Sequence, residues 1–132
     1  MRSVRLMLFG MTALLFLSAC TTGSTGTAPA EVGHAELDLA KGVKIYEEGD
    51  YASAIAMLQH ALLDGLTSKS DQARAYKYLA FIHCTSEREK QCREAFKKAL
   101  EVDPGFDLQP AEAGHPVWGP VFRSVKGSMS AK

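Results

Sequence analysis

Apolar and polar positions divide the chain into three stretches. Residues 6–17 (LMLFGMTALLFL) form a dense apolar run, and residues 21–33 (TTGSTGTAPAEVG) are nearly bare of large apolar side chains. From His34 onward apolar residues recur at three- and four-residue spacing, which is the period of a helix with one buried face. Ala35, Leu39, Gly42, Val43 and Tyr46 share one face, leaving Glu36, Asp38, Lys41, Lys44, Glu47 and Glu48 to the others. Gly49-Asp50 then stops this helix and caps the next, Gly by tolerating the left-handed conformation and Asp by accepting from free N–H groups. The second helix, about residues 51–64, aligns Ala54, Ile55, Leu58, Ala61 and Leu62. Residues 65–70 read as a linker in which Ser68 or Ser70 caps the third helix.

A second unit repeats the plan. Residues 71–85 bring Tyr76, Leu79, Ala80 and His83 to one side, and residues 87–101 do the same for Cys92, Phe96, Ala99 and Leu100. Ser86 and Glu89 between them have the spacing of a capping box. Pro104 ends the unit, since proline cannot continue the helical ladder. A last apolar stripe, Trp118, Val121, Phe122 and Val125, predicts a capping helix on the second unit. Pro120 suggests that its regular part starts only after Gly119, and residues 127–132 read as a frayed tail. The fold class expected is all-α.

The two units resemble tetratricopeptide (TPR) repeats, helix-turn-helix motifs of about 34 residues. Gly42 matches the small residue of the motif's first helix, and Ala54, Leu58 and Ala61 match the small, large and small residues of its second. Ala80, Cys92, Phe96, Ala99 and Pro104 take the equivalent places in the second unit. The first unit departs from the motif at Asp38, Lys41, Ile45 and Leu66, and the second at Ala80, His83 and Cys92. The small residues have a mechanical role, because they let the helices of a hairpin approach closely beside a large side chain.

The N-terminal run changes the picture of where this domain sits. Arg2 and Arg5 precede 12 apolar residues, too few to cross a bilayer as a helix of about 20, so residues 1–19 read as a signal peptide. Leu17-Ser18-Ala19-Cys20 resembles the lipobox of bacterial lipoproteins, which implies that Cys20 becomes the acylated N-terminus. In Gram-negative lipoproteins an Asp after that Cys commonly retains the protein at the inner membrane. Thr21 stands there instead, which implies the periplasmic face of the outer membrane. Residues 20–33 are then lipidated Cys plus flexible linker with a reach of about 20 Å, and residues 34–126 are the helical domain. The 15 basic and 15 acidic residues balance, but two of the basic ones are Arg2 and Arg5, so residues 20–132 carry a net charge of −2. That leaves no electrostatic footprint for nucleic acid.

Candidate chemistry is sparse. Cys84 and Cys92 allow three readings: a structural disulfide stapling the hairpin, two free thiols, or a redox pair, although C-x₇-C is not the C-x-x-C of thiol oxidoreductases. His83-Cys84 with Cys92 lacks a fourth ligand at metal spacing, and His34, His60 and His115 are scattered. No metal, cofactor or catalytic grouping is therefore expected. On the TPR resemblance the groove-facing residues are Glu36, Leu39, Val43 and Tyr46 in the first unit and Arg74, Lys77, Phe81 and Cys84 in the second. They offer an apolar floor with two cations able to meet a carboxylate. Equally, the chain's own ends could cover that floor.

The combination of the lipobox, the pair of TPR-like units and the tract Tyr78-Leu79-Ala80-Phe81-Ile82-His83-Cys84, Gln91-Cys92, Phe96, Ala99-Leu100, Asp103-Pro104-Gly105-Phe106, Gly114-His115-Pro116 and Trp118-Gly119-Pro120-Val121-Phe122 is similar to the TssQ family of lipoproteins associated with type VI secretion. The resemblance implies an accessory outer-membrane protein of a secretion apparatus; with no catalytic grouping in the sequence, the leading reading is a noncatalytic adaptor, anchored through Cys20, that binds a protein partner in the envelope. Two other readings remain: a pilotin-like or envelope-assembly lipoprotein, and a thiol-disulfide enzyme using Cys84 and Cys92.

Overall fold

A computed structural model describes residues 32–131. The expected signal peptide and Cys20 lie outside the described residues, as does all of the linker before Val32. Six helices run in order: α1 His34–Glu47, α2 Tyr51–Asp64, α3 Lys69–Thr85, α4 Glu89–Val102, α5 Pro110–Ala113 and α6 Trp118–Ser130. The described residues contain no strand, so the all-α expectation stands. α1 pairs with α2 and α3 with α4 as two hairpins; α2 packs on α3, α1 reaches α3, and α6 lies on α4 and α3.

Close approach in the first hairpin depends on Gly42. A Cβ there would sit 3.0 Å from Leu58 Cγ and Cδ2 and 3.2 Å from the Leu58 nitrogen. Leu58, Ala54 and Ala61 fill that seam and are fully buried. Gly49 turns the chain at φ +85, and the Asp50 carboxylate accepts from Ser53 N–H at 3.1 Å. α2 ends on Gly65 at φ +90.

The linker after α2 is shorter than its sequence suggests. Ser68, not Ser70, is the N-cap of α3, accepting from Asp71 N–H at 2.9 Å, so Lys69 and Ser70 are already helical. Leu66, in the same stretch, is buried.

Three expectations about helix ends are corrected. Ser86 does not cap α4; it closes α3, its N–H donating to Ile82 O at 3.0 Å, and the N-cap position falls to Arg88 without a side-chain bond. The α3–α4 turn is made instead by Glu87 at φ +59. α6 begins at Trp118, which places Pro120 in the first turn, where its missing N–H would have had no helical partner. It also runs past Lys126 to Ser130. Gly127 to Ser130 are helical and not a frayed end, with Met129 packed against the core and Ser128 and Ser130 hydroxyls donating to Val125 and Lys126 carbonyls.

A line of rings organises the core of the second hairpin. Phe96 is fully buried and meets Phe81 and Phe122 edge-to-face at 6.1 and 5.2 Å, and Phe122 meets Phe106 at 5.8 Å. Such pairs contribute about 0.5–1.5 kcal/mol each beyond area burial.

Candidate functional site

The groove expected along α1 and α3 is largely filled by the chain itself. Leu39, Val43 and Phe81 are buried, at 2, 6 and 2% exposure, and so cannot form an open apolar floor. Leu39 and Val43 belong to the core that α1 shares with α2 and α3. Phe81 is covered by Trp118, whose ring stacks on it at 4.3 Å and 22°. Helical periodicity identifies an apolar face but not the element that covers it, and the covering element here is the C-terminal segment.

That segment is locked in place by polar contacts. Gln109 and Glu112 form a capping box around the short helix α5, with Gln109 N–H donating to Glu112 Oε2 at 3.0 Å. The other oxygen of Glu112 takes Lys77 Nζ at 2.6 Å, with both side chains mostly buried. Trp118 Nε1–H donates to Glu112 O at 2.9 Å, and Arg123 donates to Ala113 O at 3.0 Å. His115 stacks on the open face of Trp118. The carboxylate that the sequence leads one to expect opposite Lys77 is therefore present, and it is the chain's own.

Apart from Lys77, whose side chain is mostly buried against Glu112, three of the groove residues keep some access to solvent. Arg74 is exposed, and Glu36 and Tyr46 are half-buried. Tyr46 lies between Tyr78 and Tyr51, at 5.1 and 5.7 Å between ring centres. Burial raises its hydroxyl pKa above the ordinary tyrosine range, helped by the charges of Tyr51, Tyr78 and Glu112. The Glu36 carboxylate is engaged by the Thr67 hydroxyl at 2.9 Å and by its backbone N–H at 3.3 Å, bonds that hold its pKa below the usual carboxylate value.

Cys84 and Cys92 come together at the α3–α4 corner. Their sulfurs are at disulfide distance, the Cα atoms are 5.0 Å apart, and both residues are buried. Cys84 therefore does not open into the groove. Beside the pair a hollow of about 280 Å³ is lined by Glu87, Glu89, Val117 and Val121. His83 points elsewhere, bordering a pocket of about 370 Å³ between α2, α3 and α4 with Tyr76, Leu79, Lys90, Glu94 and Lys98. Its Nδ1 is buried without a hydrogen-bond partner. Burial, then the charge of Arg88, lowers its pKa and favours the neutral ring.

One grouping escapes the sequence reading. His60 is not isolated, because its Nδ1 lies 2.8 Å from Asp38 Oδ2 and 3.3 Å from Asp64 Oδ2. The signal was present: His60 and Asp64 are one helical turn apart, and Asp38 and His60 stand almost equally far on either side of the Gly49-Asp50 turn.

Fold and site together define an all-helical protein of two hairpins whose second hairpin is closed by its own C-terminal helices. No family model, curated protein or solved structure matches the chain. Among the described residues, no helix is long and apolar enough to cross a membrane.

Proposed function

We propose that this chain is a noncatalytic, lipid-anchored adaptor of the bacterial envelope, with TPR-like hairpins presented to the periplasm from an acylated Cys20. Its resemblance to the TssQ lipoproteins makes an accessory role in type VI secretion the leading assignment. The tract that carries this resemblance, from Tyr78 to Phe122, includes Phe81 and the Trp118 ring that covers it. The anchor rests on the lipobox, since acyl chains contribute about 0.8 kcal/mol per buried CH₂ and two or more hold a protein on a membrane.

The observation that carries the adaptor reading is where the cover stops. Beyond the Lys77–Glu112 pair, Arg74 remains exposed on α3, and Tyr46 and Tyr51 form an aromatic edge that is still partly accessible. An exposed cation on α3 together with an accessible tyrosine edge suits an acidic segment with an apolar or aromatic anchor. The binding surface is thus the rim at Tyr46, Tyr51 and Arg74, smaller than the groove expected from the repeat resemblance.

The test is affinity capture from membranes with a Tyr46→Ala, Arg74→Glu double variant. Loss of the envelope protein recovered by the native chain supports the adaptor reading, and unchanged recovery counts against it. Cys20→Ser tests the anchor separately, because it should move the chain from the membrane to the soluble fraction.

A further inference from the structure

Asp38 is anomalous in both sequence and structure. It occupies a place where the repeat resemblance calls for an aromatic residue, and its side chain is only a quarter exposed. It faces His60 across the α1–α2 seam, and Asp64 approaches the same ring nitrogen from one turn further along α2. One ligand atom from each of the three residues lies within 4.8 Å of the other two.

Asp64 is anomalous for a second reason. It is the last residue of α2, and no basic residue occupies that last turn. The free carbonyls at a helix C-terminus carry partial negative charge, so a carboxylate there is disfavoured unless a cation accompanies it. His60 supplies that cation only when protonated. A bound metal supplies it with the ring neutral.

We propose that Asp38, His60 and Asp64 bind one divalent transition-metal ion, with zinc the best match to the donors. A neutral imidazole and two carboxylates bring a charge of −2 against the ion's +2. The nitrogen donor favours zinc, nickel or copper over calcium or magnesium, which want larger sets of oxygens. Ligands held about 2.0–2.2 Å from a tetrahedral ion lie about 3.4 Å from one another, a spacing the three side chains approach already. In the metal-free site the Nδ1 proton serves the bond to Asp38. On binding, that proton leaves Nδ1 and the exposed Nε2 carries one in its place, so the ring stays neutral and no electrons are transferred. The fourth position faces solvent and takes water. Bound there, the ion ties α1 to α2 where no disulfide does so.

The experiment is calorimetric titration of zinc into the chelator-stripped full chain in detergent, repeated with cobalt(II) and followed by its d–d absorption. One equivalent is expected to bind, with a rise in thermal midpoint. His60→Ala and Asp38→Asn should weaken binding more than about tenfold, since even outer-shell partners of a metal site are worth that much. His34→Ala should bind as the native chain does. His60 is exposed, so its alanine variant keeps the fold, which circular dichroism verifies. Absence of saturable binding, or a His60→Ala variant that binds as tightly as the native chain, overturns the site and leaves the three residues as an ion-paired cluster.

Discussion

The two hairpins are built from the same plan and held together differently. The first closes on a glycine: α1 meets α2 at Gly42 and Leu58, and its polar tie is the Asp38–His60–Asp64 cluster. The second closes on large rings and on sulfur, with Phe81, Phe96, Trp118 and Phe122 packed between α3, α4 and α6 and the Cys84–Cys92 pair at its corner. Among the described residues α1 packs only on α2 and α3, whereas α3 is covered by the C-terminal helices as well. A helical hairpin with an apolar outer face must bury it against a neighbouring element. The second hairpin meets that requirement with α5 and α6.

If this contrast is right, the strongest perturbation is to remove the cover. Phe122 is buried between Phe96 and Phe106, and Phe122→Ala should cost about 3–5 kcal/mol, as large-to-small changes of buried rings do. Unfolding in urea measures the loss, and hydrogen exchange locates it. Amides of α4 and α6 should exchange faster while those of α1 and α2 change less. An equal rise in both hairpins would break the comparison.

Next in size is the sulfur pair. Separating Cys84 from Cys92 by a double alanine substitution should cost about 2–3 kcal/mol, the loop-closure value for a separation of eight residues. A reducing agent should reproduce the loss in the native chain and have no effect on the double variant. A shift of thermal midpoint by reductant in the double variant would show that some other thiol is involved.

The glycine seam of the first hairpin gives a smaller effect. Gly42→Ala puts a methyl group 3.0 Å from Leu58, and such overpacking costs about 1–3 kcal/mol, partly offset by the better helix propensity of alanine. The thermal midpoint should fall, and a Leu58→Val second change should restore part of it by relieving the clash. A Gly42→Ala variant as stable as the native chain would mean that the first hairpin tolerates a wider spacing than its contacts indicate.

Helices with a full apolar face were legible in the sequence. The starts of α1 and α2 and the Gly49-Asp50 turn come from period and capping chemistry, because those signals are local. What failed to show was everything decided by a distant partner. Ser86 has the spacing to cap α4, yet α3 extends one residue beyond His83-Cys84 and uses Ser86 for its own end. α5 has no apolar period at all, and its capping-box residue Glu112 is tied to α3 by Lys77, 35 residues earlier. The same pair explains the groove. Lys77 was legible as a carboxylate receptor, but no local pattern reveals that the carboxylate comes from the same chain. Cys84 and Cys92 were legible as a possible pair, and their approach required the tight turn at Glu87 that only the structure reveals.

The smallest expected effect concerns pH, and it again separates the hairpins. His83 lies in the second, with a buried, unpartnered Nδ1 and a pKa lowered by burial and then by Arg88. When a histidine's folded pKa is depressed, the unfolded chain binds the proton more readily between the two values, so stability rises with pH there and falls as the solution is acidified. The loss therefore begins as pH drops through the unfolded value near 6.5 and levels off below the folded one. Asp50 and Asp107 act in the same direction at lower pH, since their pKa values are lowered by hydrogen bonds to Ser53 and Lys126. Their stabilisation is present above the unfolded carboxylate pKa and lost as pH falls through the folded one. The two windows are separable. His83→Phe should remove the slope of stability in the mildly acidic range while leaving the carboxylate-driven loss below it, and urea unfolding at a series of pH values reads both. A slope unchanged in His83→Phe would assign the mildly acidic sensitivity to a histidine other than the one beneath the second hairpin's surface.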